Sequence, residues 1–284
     1  MLAGMSAPSA RRWSSWLAAP LAQRMLRSMR VICPANTAEE QRLRKLCPDA
    51  AFGPVGDLKA AAAYAGRTAA APSALTVAIA ACRRAGRFVW VAASTHAGEE
   101  TKAAAAHALL CAEGLAPLVI FAPRHPERAS AVTAELAQKH PSFRVALHSR
   151  DGAPALEQCD VYVVDAFGIL PELYAASSAA FVGNSLVPGG QGHNLAEAAA
   201  GGCVVLAGPH LGPFASMAKQ LGAANAMRII DDATALYAAL SDLRSAPEDC
   251  ARRGAAAAAA SAELASGVLQ RVFDAVTAAL ALDT

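Results

Sequence analysis

From residue 86 onward, short and wholly apolar runs recur between alanine-rich stretches of helical length, and this pattern narrows the possible folds more than any other feature. The runs are Phe88–Ala93, Leu118–Ala122, Val161–Val164, Ala179–Val182, Val204–Ala207 and Met227–Ile230, with 144–148 as a shorter candidate. The helical stretches are 98–113, 126–139, 192–200, 213–221 and 233–244. A strand with one solvated face alternates apolar and polar residues; a run that is apolar throughout suits a strand buried on both faces. Such strands alternating with helices predict an α/β fold, a parallel sheet with helices on both sides.

The flanking regions read differently. Residues 249–284 predict one helical tail, helical to about 280, with no strand after it. Upstream, 30–33 and 54–56 predict two short strands around a helix at 37–46, the last pieces of another α/β unit. Residues 60–85 read as an alanine-rich connector between that unit and a domain spanning 86–248. Residues 1–38 hold five arginines and no acid. With their serines and leucines they suit an organelle transit peptide. They equally suit a basic amphipathic helix on an anionic membrane surface, with Leu17, Leu21 and Met25 on one side, or an ordinary solvated helix face.

A net charge of +2 makes no case for nucleic acid. No apolar run is expected to approach the ~18 uncharged residues of a spanning helix. The seven cysteines are scattered without a C-x-x-C pair, which predicts reduced thiols rather than a disulfide framework or a zinc site. No G-x-G-x-x-G follows a strand and no G-x-x-x-x-G-K-[ST] occurs, against a dinucleotide dehydrogenase and a P-loop NTPase.

In open α/β sheets ligands bind beyond the carboxyl ends of strands, and here those ends carry the chemistry. Ser94, Thr95 and His96 follow one run, and Pro123, Arg124 and His125 the next. Gly183 opens a glycine-rich stretch reaching Gly192, His193, Asn194 and Glu197; Gly208 and His210 follow another run. Glycines let backbone approach a ligand closely, helix starts bare N–H groups to anions, and Arg124 suits a bidentate phosphate contact. Asn194 and Glu197, three apart, suit sugar hydroxyls. Each has a plainer reading. Ser94 or Thr95 serves as a helix cap, Pro126 opens a helix, and Asn194 with Glu197 forms a capping box.

These strand ends resemble a known family. "VAASTHAGEE" (91–100) is similar to the A-S-T-H-x-G-E-E of the 3-deoxy-D-manno-octulosonic acid (Kdo) transferases of lipid A biosynthesis. "APRHPER" (122–128) matches their x-P-R-H-P-E-R. "FVGNSLVPGGQGHNLAE" (181–197) resembles F-V-G-G-S-L-V-x-x-G-G-H-N-P-L-E, "LAGPH" (206–210) a strand ending in G-P-H, and "GDLK" (56–59) the G-S/N-L-K before the interdomain linker. The resemblance implies a Rossmann-like domain, the C-terminal half of a GT-B glycosyltransferase. It implies that CMP-Kdo is the donor, a lipid A precursor the acceptor and an anionic membrane surface a partner, with no cofactor and no metal. By resemblance the CMP contacts are Pro123, Arg124, Phe167, Gly168, Ile169, Asn194, Leu195, Ala196 and Glu197. Ser94, Thr95, His96, Gly192 and His193 are further candidates for the donor site. Phe167-Gly168-Ile169 replaces the family's M-G-E, and one residue is inserted near Gly190.

In the family an N-terminal domain holds the acceptor and a glutamate base. Residues 1–59 are expected to be a remnant of it, so no catalytic residue is named. A catalytically inactive nucleotide-sugar module and a UDP- or GDP-sugar enzyme stay open. So do a membrane-associated location and, if residues 1–30 are a transit peptide, a mitochondrial one.

Overall fold

A computed structural model of the protein describes residues 2–3, 18–58, 61, 72–114 and 116–281. The chain divides into two compact units, residues 67–260 and residues 1–66 with 261–284.

In the smaller unit β1 (Leu2–Ala3) pairs in parallel with β2 (Ile32–Cys33), followed by the helix Thr37–Leu46. Asn36 caps that helix by accepting the N–H of Glu39. Leu26, Ile32, Leu43, Cys47 and Ala50 form one apolar cluster, and Val31, Cys33, Ala61, Val268 and Val272 another. The strand expected at 54–56 is absent. The chain makes only a single bridge, Ile32 to Phe52, because Pro54 has no N–H to extend a ladder. The helix Ala19–Arg27 buries Ala22 and Leu26, whereas Leu21 of the expected apolar stripe is 73% exposed. Leu17, Arg11 and Arg12 lie outside the described residues, as does Lys59 of the G-D-L-K motif.

The larger unit is the expected parallel α/β domain. Its strands are β3 (Val89–Thr95), β4 (Leu118–Pro123), β5 (Val145–Leu147), β6 (Val161–Val163), β7 (Ala179–Val182), β8 (Val204–Ala207) and β9 (Met227–Ile229). They lie in the order β5-β6-β4-β3-β7-β8-β9, all parallel. Trp90, Phe121, Tyr162 and Phe181 are fully buried, as the all-apolar runs require. Helices 99–112, 129–139 and 233–245 pack together, as do 74–84, 170–176 and 196–200.

Three boundaries differ from expectation. Residues 74–84, inside the stretch read as a connector, are a helix capped by Ser73, with Leu75, Ile79 and Cys82 buried. The tail is two helices, Pro247–Ala265 and Val268–Ala281, interrupted where Gly267 takes a φ of +67°. The stretch Pro247–Ala281 is also apolar and long enough to cross a membrane by length and composition; many alanines, each weakly apolar, sum to that. Finally, the helix expected at 192–200 begins only at Ala196. Asn184, Gly189 and Gly192 adopt positive φ and hold the preceding stretch as turns.

Candidate functional site

β3 is the pivot of the sheet. The chain leaves it toward β4 and later returns on its other side as β7, which makes the crevice above β3 a topological switch point. A cleft of about 230 Å³ opens there. Ser94 lines it from the end of β3, and Pro123, Arg124 and Pro126 from the end of β4. Phe167, Gly168 and Ile169 close it from the loop after β6, and His193, Asn194 and Glu197 from the loop after β7.

One buried carboxylate builds this crevice. Glu99, fully buried in the first turn of its helix, takes four backbone N–H groups. Its Oε2 accepts from His96 at 2.9 Å and Asn184 at 2.7 Å, and its Oε1 from Ser185 at 3.0 Å and Leu186 at 2.9 Å. Successive N–H groups in a turn form an anion-binding concavity, and here the anion is the protein's own. The glycines nearby serve close approach. A Cβ on Gly183 would lie 2.6 Å from the Ser94 carbonyl oxygen, and one on Gly208 only 2.1 Å from that of Ser185. The Ser185 hydroxyl donates to Val182 O at 2.6 Å and accepts the Gly208 N–H at 2.8 Å, tying the ends of β7 and β8 together.

The charged groups around the cleft divide into bound and free. Glu100 Oε1 accepts from Thr95 Oγ1 at 3.0 Å and pairs with Arg128 at 2.9 Å. Arg124 is exposed, its backbone N–H held by Thr95 O at 3.0 Å; among the described residues its guanidinium has no ion-pair partner. On the opposite wall the half-buried Glu197 carboxyl has no hydrogen-bond partner among the described residues, and burial raises its pKa. His193 Nε2 lies 3.0 Å from His96 Nε2, the two rings stacked at 5.2 Å. Burial, then His96 and Arg124 beside it, pushes the His193 pKa down to about 4. Phe167, 76% exposed, stands at the rim.

The structure therefore brings Ser94, Pro123, Arg124, Phe167, Gly168, Ile169, His193, Asn194 and Glu197 into one cleft. It does not bring Leu195 and Ala196, which are buried away from the lining. Thr95 is buried on Glu100, His96 stands behind His193, and Gly192 is a tight spacer on which a Cβ would lie 3.3 Å from His210 O. Of the plainer readings, that of Pro126 holds, since it opens the short helix Pro126–Arg128; a cap by Ser94 or Thr95 and a box of Asn194 with Glu197 do not. Gly98 caps the first helix without a side-chain bond, and Asn194 Oδ1 accepts from Ala196 N, with no return bond from Glu197. The helix it precedes runs only from Ala196 to Ala200, so a helix-end charge contributes little there. Glu99 escapes a reading of the residues alone. Two acids after a glycine look like the ordinary acidic first turn of a helix; only burial shows that one of them organises the loop.

An all-parallel sheet with its cleft at the switch point makes this unit a Rossmann-like domain of the kind that forms the C-terminal half of GT-B glycosyltransferases. The chain is a relative of the C-terminal part of the 3-deoxy-D-manno-octulosonic acid transferases. A probable mitochondrial 3-deoxy-D-manno-octulosonic acid transferase of Arabidopsis thaliana is 35% identical over 238 residues, 82% of this chain and 52% of that protein. The 3-deoxy-D-manno-octulosonic acid transferase of Haemophilus influenzae is 35% identical over 189 residues, 66% of this chain and 43% of that protein. The chain thus spans about half the length of the curated relatives it matches. Among solved structures, the C-terminal CMP-Kdo binding domain of WaaA from Acinetobacter baumannii superposes with a TM-score of 0.58 at 28% identity, covering 66% of this chain and 97% of that domain. A glycosyltransferase from Rickettsia africae shares the fold at a TM-score of 0.57 and 13% identity, over 98% of this chain and 68% of that one. No protein-family model matches the chain.

Proposed function

We propose that this chain binds CMP-Kdo and serves as the donor half of a Kdo transfer reaction. The observation that carries this is the pairing, across one cleft at the switch point, of the Arg124 guanidinium and the Glu197 carboxyl, each without a partner among the described residues. One suits a phosphodiester and the other ribose hydroxyls, and the exposed Phe167 ring offers a face to a base. The relatives named as Kdo transferases and the CMP-Kdo binding neighbour support the choice of donor. In the transfer the bond from the sugar carbon to the CMP oxygen breaks, its electron pair staying on the phosphate. The acceptor's hydroxyl oxygen bonds to that carbon, and its proton passes to a base that we assign to no residue described here. The acceptor in this reading is a lipid A precursor, and the basic N-terminal stretch rests on an anionic membrane surface.

Titration calorimetry with CMP, UMP and GMP tests the donor assignment. CMP is expected to bind most tightly. No binding of CMP by folded protein, or equal binding of all three, overturns it.

A further inference from the structure

The hydrogen bond between His96 and His193 has a consequence for whatever anion enters the cleft. The two Nε2 atoms are 3.0 Å apart, so one ring donates and the other accepts. Two neutral imidazoles carry two ring protons, one of them in the bond. A third proton fits on a free Nδ1 without disturbing it, whereas a fourth would put two protons between the Nε2 atoms and break the pair. The pair therefore holds one additional proton and no more while its geometry lasts.

His193 lines the cleft that Arg124 also lines; His96 backs it. The charged and titratable groups facing the pair are Glu99 and Glu100, which begin the helix Glu99–Ala112, and Arg124, His125 and Arg128 after β4. Glu99 is taken up by four N–H groups and Glu100 by Thr95 and Arg128. Burial dominates what is left and keeps both rings neutral: His96 is lowered and His193 sits at about 4. Glu197 also lines the cleft, on the opposite wall and with no bond to either ring; what the pair lacks is a negative charge directly beside it.

We propose that the His96–His193 pair takes up one proton when the donor's phosphate occupies the cleft, and so presents an imidazolium, beside Arg124, to the phosphate that departs as CMP. This rests on the nucleotide reading above and adds to it a proton-linked binding step. A cation placed where negative charge grows stabilises the transition state more than the ground state. Here the cation forms only once phosphate arrives, which spares the empty site from burying an unpaired charge.

The probe is the methyl ester of CMP, whose phosphodiester has the single charge of the donor and does not itself titrate near neutrality. Calorimetry in buffers of different ionisation enthalpy counts the protons taken up, between pH 5.5 and 8. Expected are net uptake of up to one proton per ligand and an affinity that falls as pH rises, approaching tenfold per pH unit where uptake approaches one. Cytidine, without phosphate, should bind with no proton exchange. His193→Gln should abolish the uptake and His96→Gln reduce it, while both variants remain folded by circular dichroism. Binding of the methyl ester without proton uptake, or with the same uptake in His193→Gln, overturns the proposal and leaves the nucleotide reading standing. Failure of CMP and its ester to bind at all overturns both.

Discussion

The Glu99 carboxylate accepts the backbone N–H of Asn184 at 2.7 Å across 85 residues of sequence, joining the start of a helix to the loop after β7. Three more N–H groups share that carboxylate. Glu99→Gln replaces one accepting oxygen with an amide donor that faces donors. The variant is expected to lose at least ~2 kcal/mol of stability and to bind CMP more weakly, because the loop carrying His193 and Asn194 loses its anchor. Urea denaturation with parallel CMP titration checks both. Unchanged stability would mean that the loop is held by other contacts.

Arg124 has its backbone fixed by Thr95, and its guanidinium has no ion-pair partner among the described residues. Arg124→Ala is expected to weaken CMP binding by roughly 1.5–3 kcal/mol, the range for a charged hydrogen bond, and to leave cytidine binding nearly unaltered. Equal losses for CMP and cytidine would give Arg124 a structural role instead.

Phe167 projects from the loop after β6 at the rim of the cleft, 76% exposed. If a base stacks on it, Phe167→Ala should cost roughly 1–3 kcal/mol for CMP and cytidine alike, the opposite signature to that of Arg124. Full retention of cytidine affinity would remove stacking from the account. Because the side chain packs against little else, stability should change by less than ~0.5 kcal/mol.

His107 is completely buried, accepting from Trp90 Nε1 on Nδ1 at 3.3 Å; its Nε2 therefore carries the proton and donates to Asp160 O at 3.0 Å. Burial pushes its pKa down to about 4, against about 6.5 in an unfolded chain. Below pH 6.5 the unfolded state binds a proton that the folded state refuses. Stability is thus fully present above pH 6.5 and is lost as pH falls toward 4, by about 3 kcal/mol from this one group. Urea midpoints measured from pH 7.5 to 4.5 should show that fall, and His107→Gln should flatten it. An equal slope in the variant would assign the pH dependence to other groups.

Much of the larger unit was legible in the residues, and for a clear reason. A strand buried on both faces must be apolar at every position, so β3, β4, β7 and β8 announce themselves as unbroken runs such as 118–122 and 204–207. Helix periodicity is local as well, and the helix read at 37–46 forms over Thr37–Leu46. The helix 74–84 was obscured because its alanines adjoin a low-complexity stretch and its capping bond, which the Thr76 N–H donates to Ser73 Oγ, is visible only in space.

The sequence by itself determined a parallel α/β unit, the strand ends at which a ligand would sit, and the motifs at 91–100, 122–128 and 181–197 through which the chain resembles the Kdo transferases. Only the tertiary structure decided how those motifs work. It assigned Glu99 to the loop and not to solvent, separated the bound Arg128 from the free Arg124, turned Leu195 and Ala196 inward, and set His96 against His193. Sequence patterns report whether a position favours water or the core, summed along a few neighbouring residues. Which charged group finds a partner depends on atoms as far apart in the chain as Arg244 and the Leu110 carbonyl, 134 residues, meeting within a hydrogen bond's length, and that is decided by how the strands and helices are arranged in space.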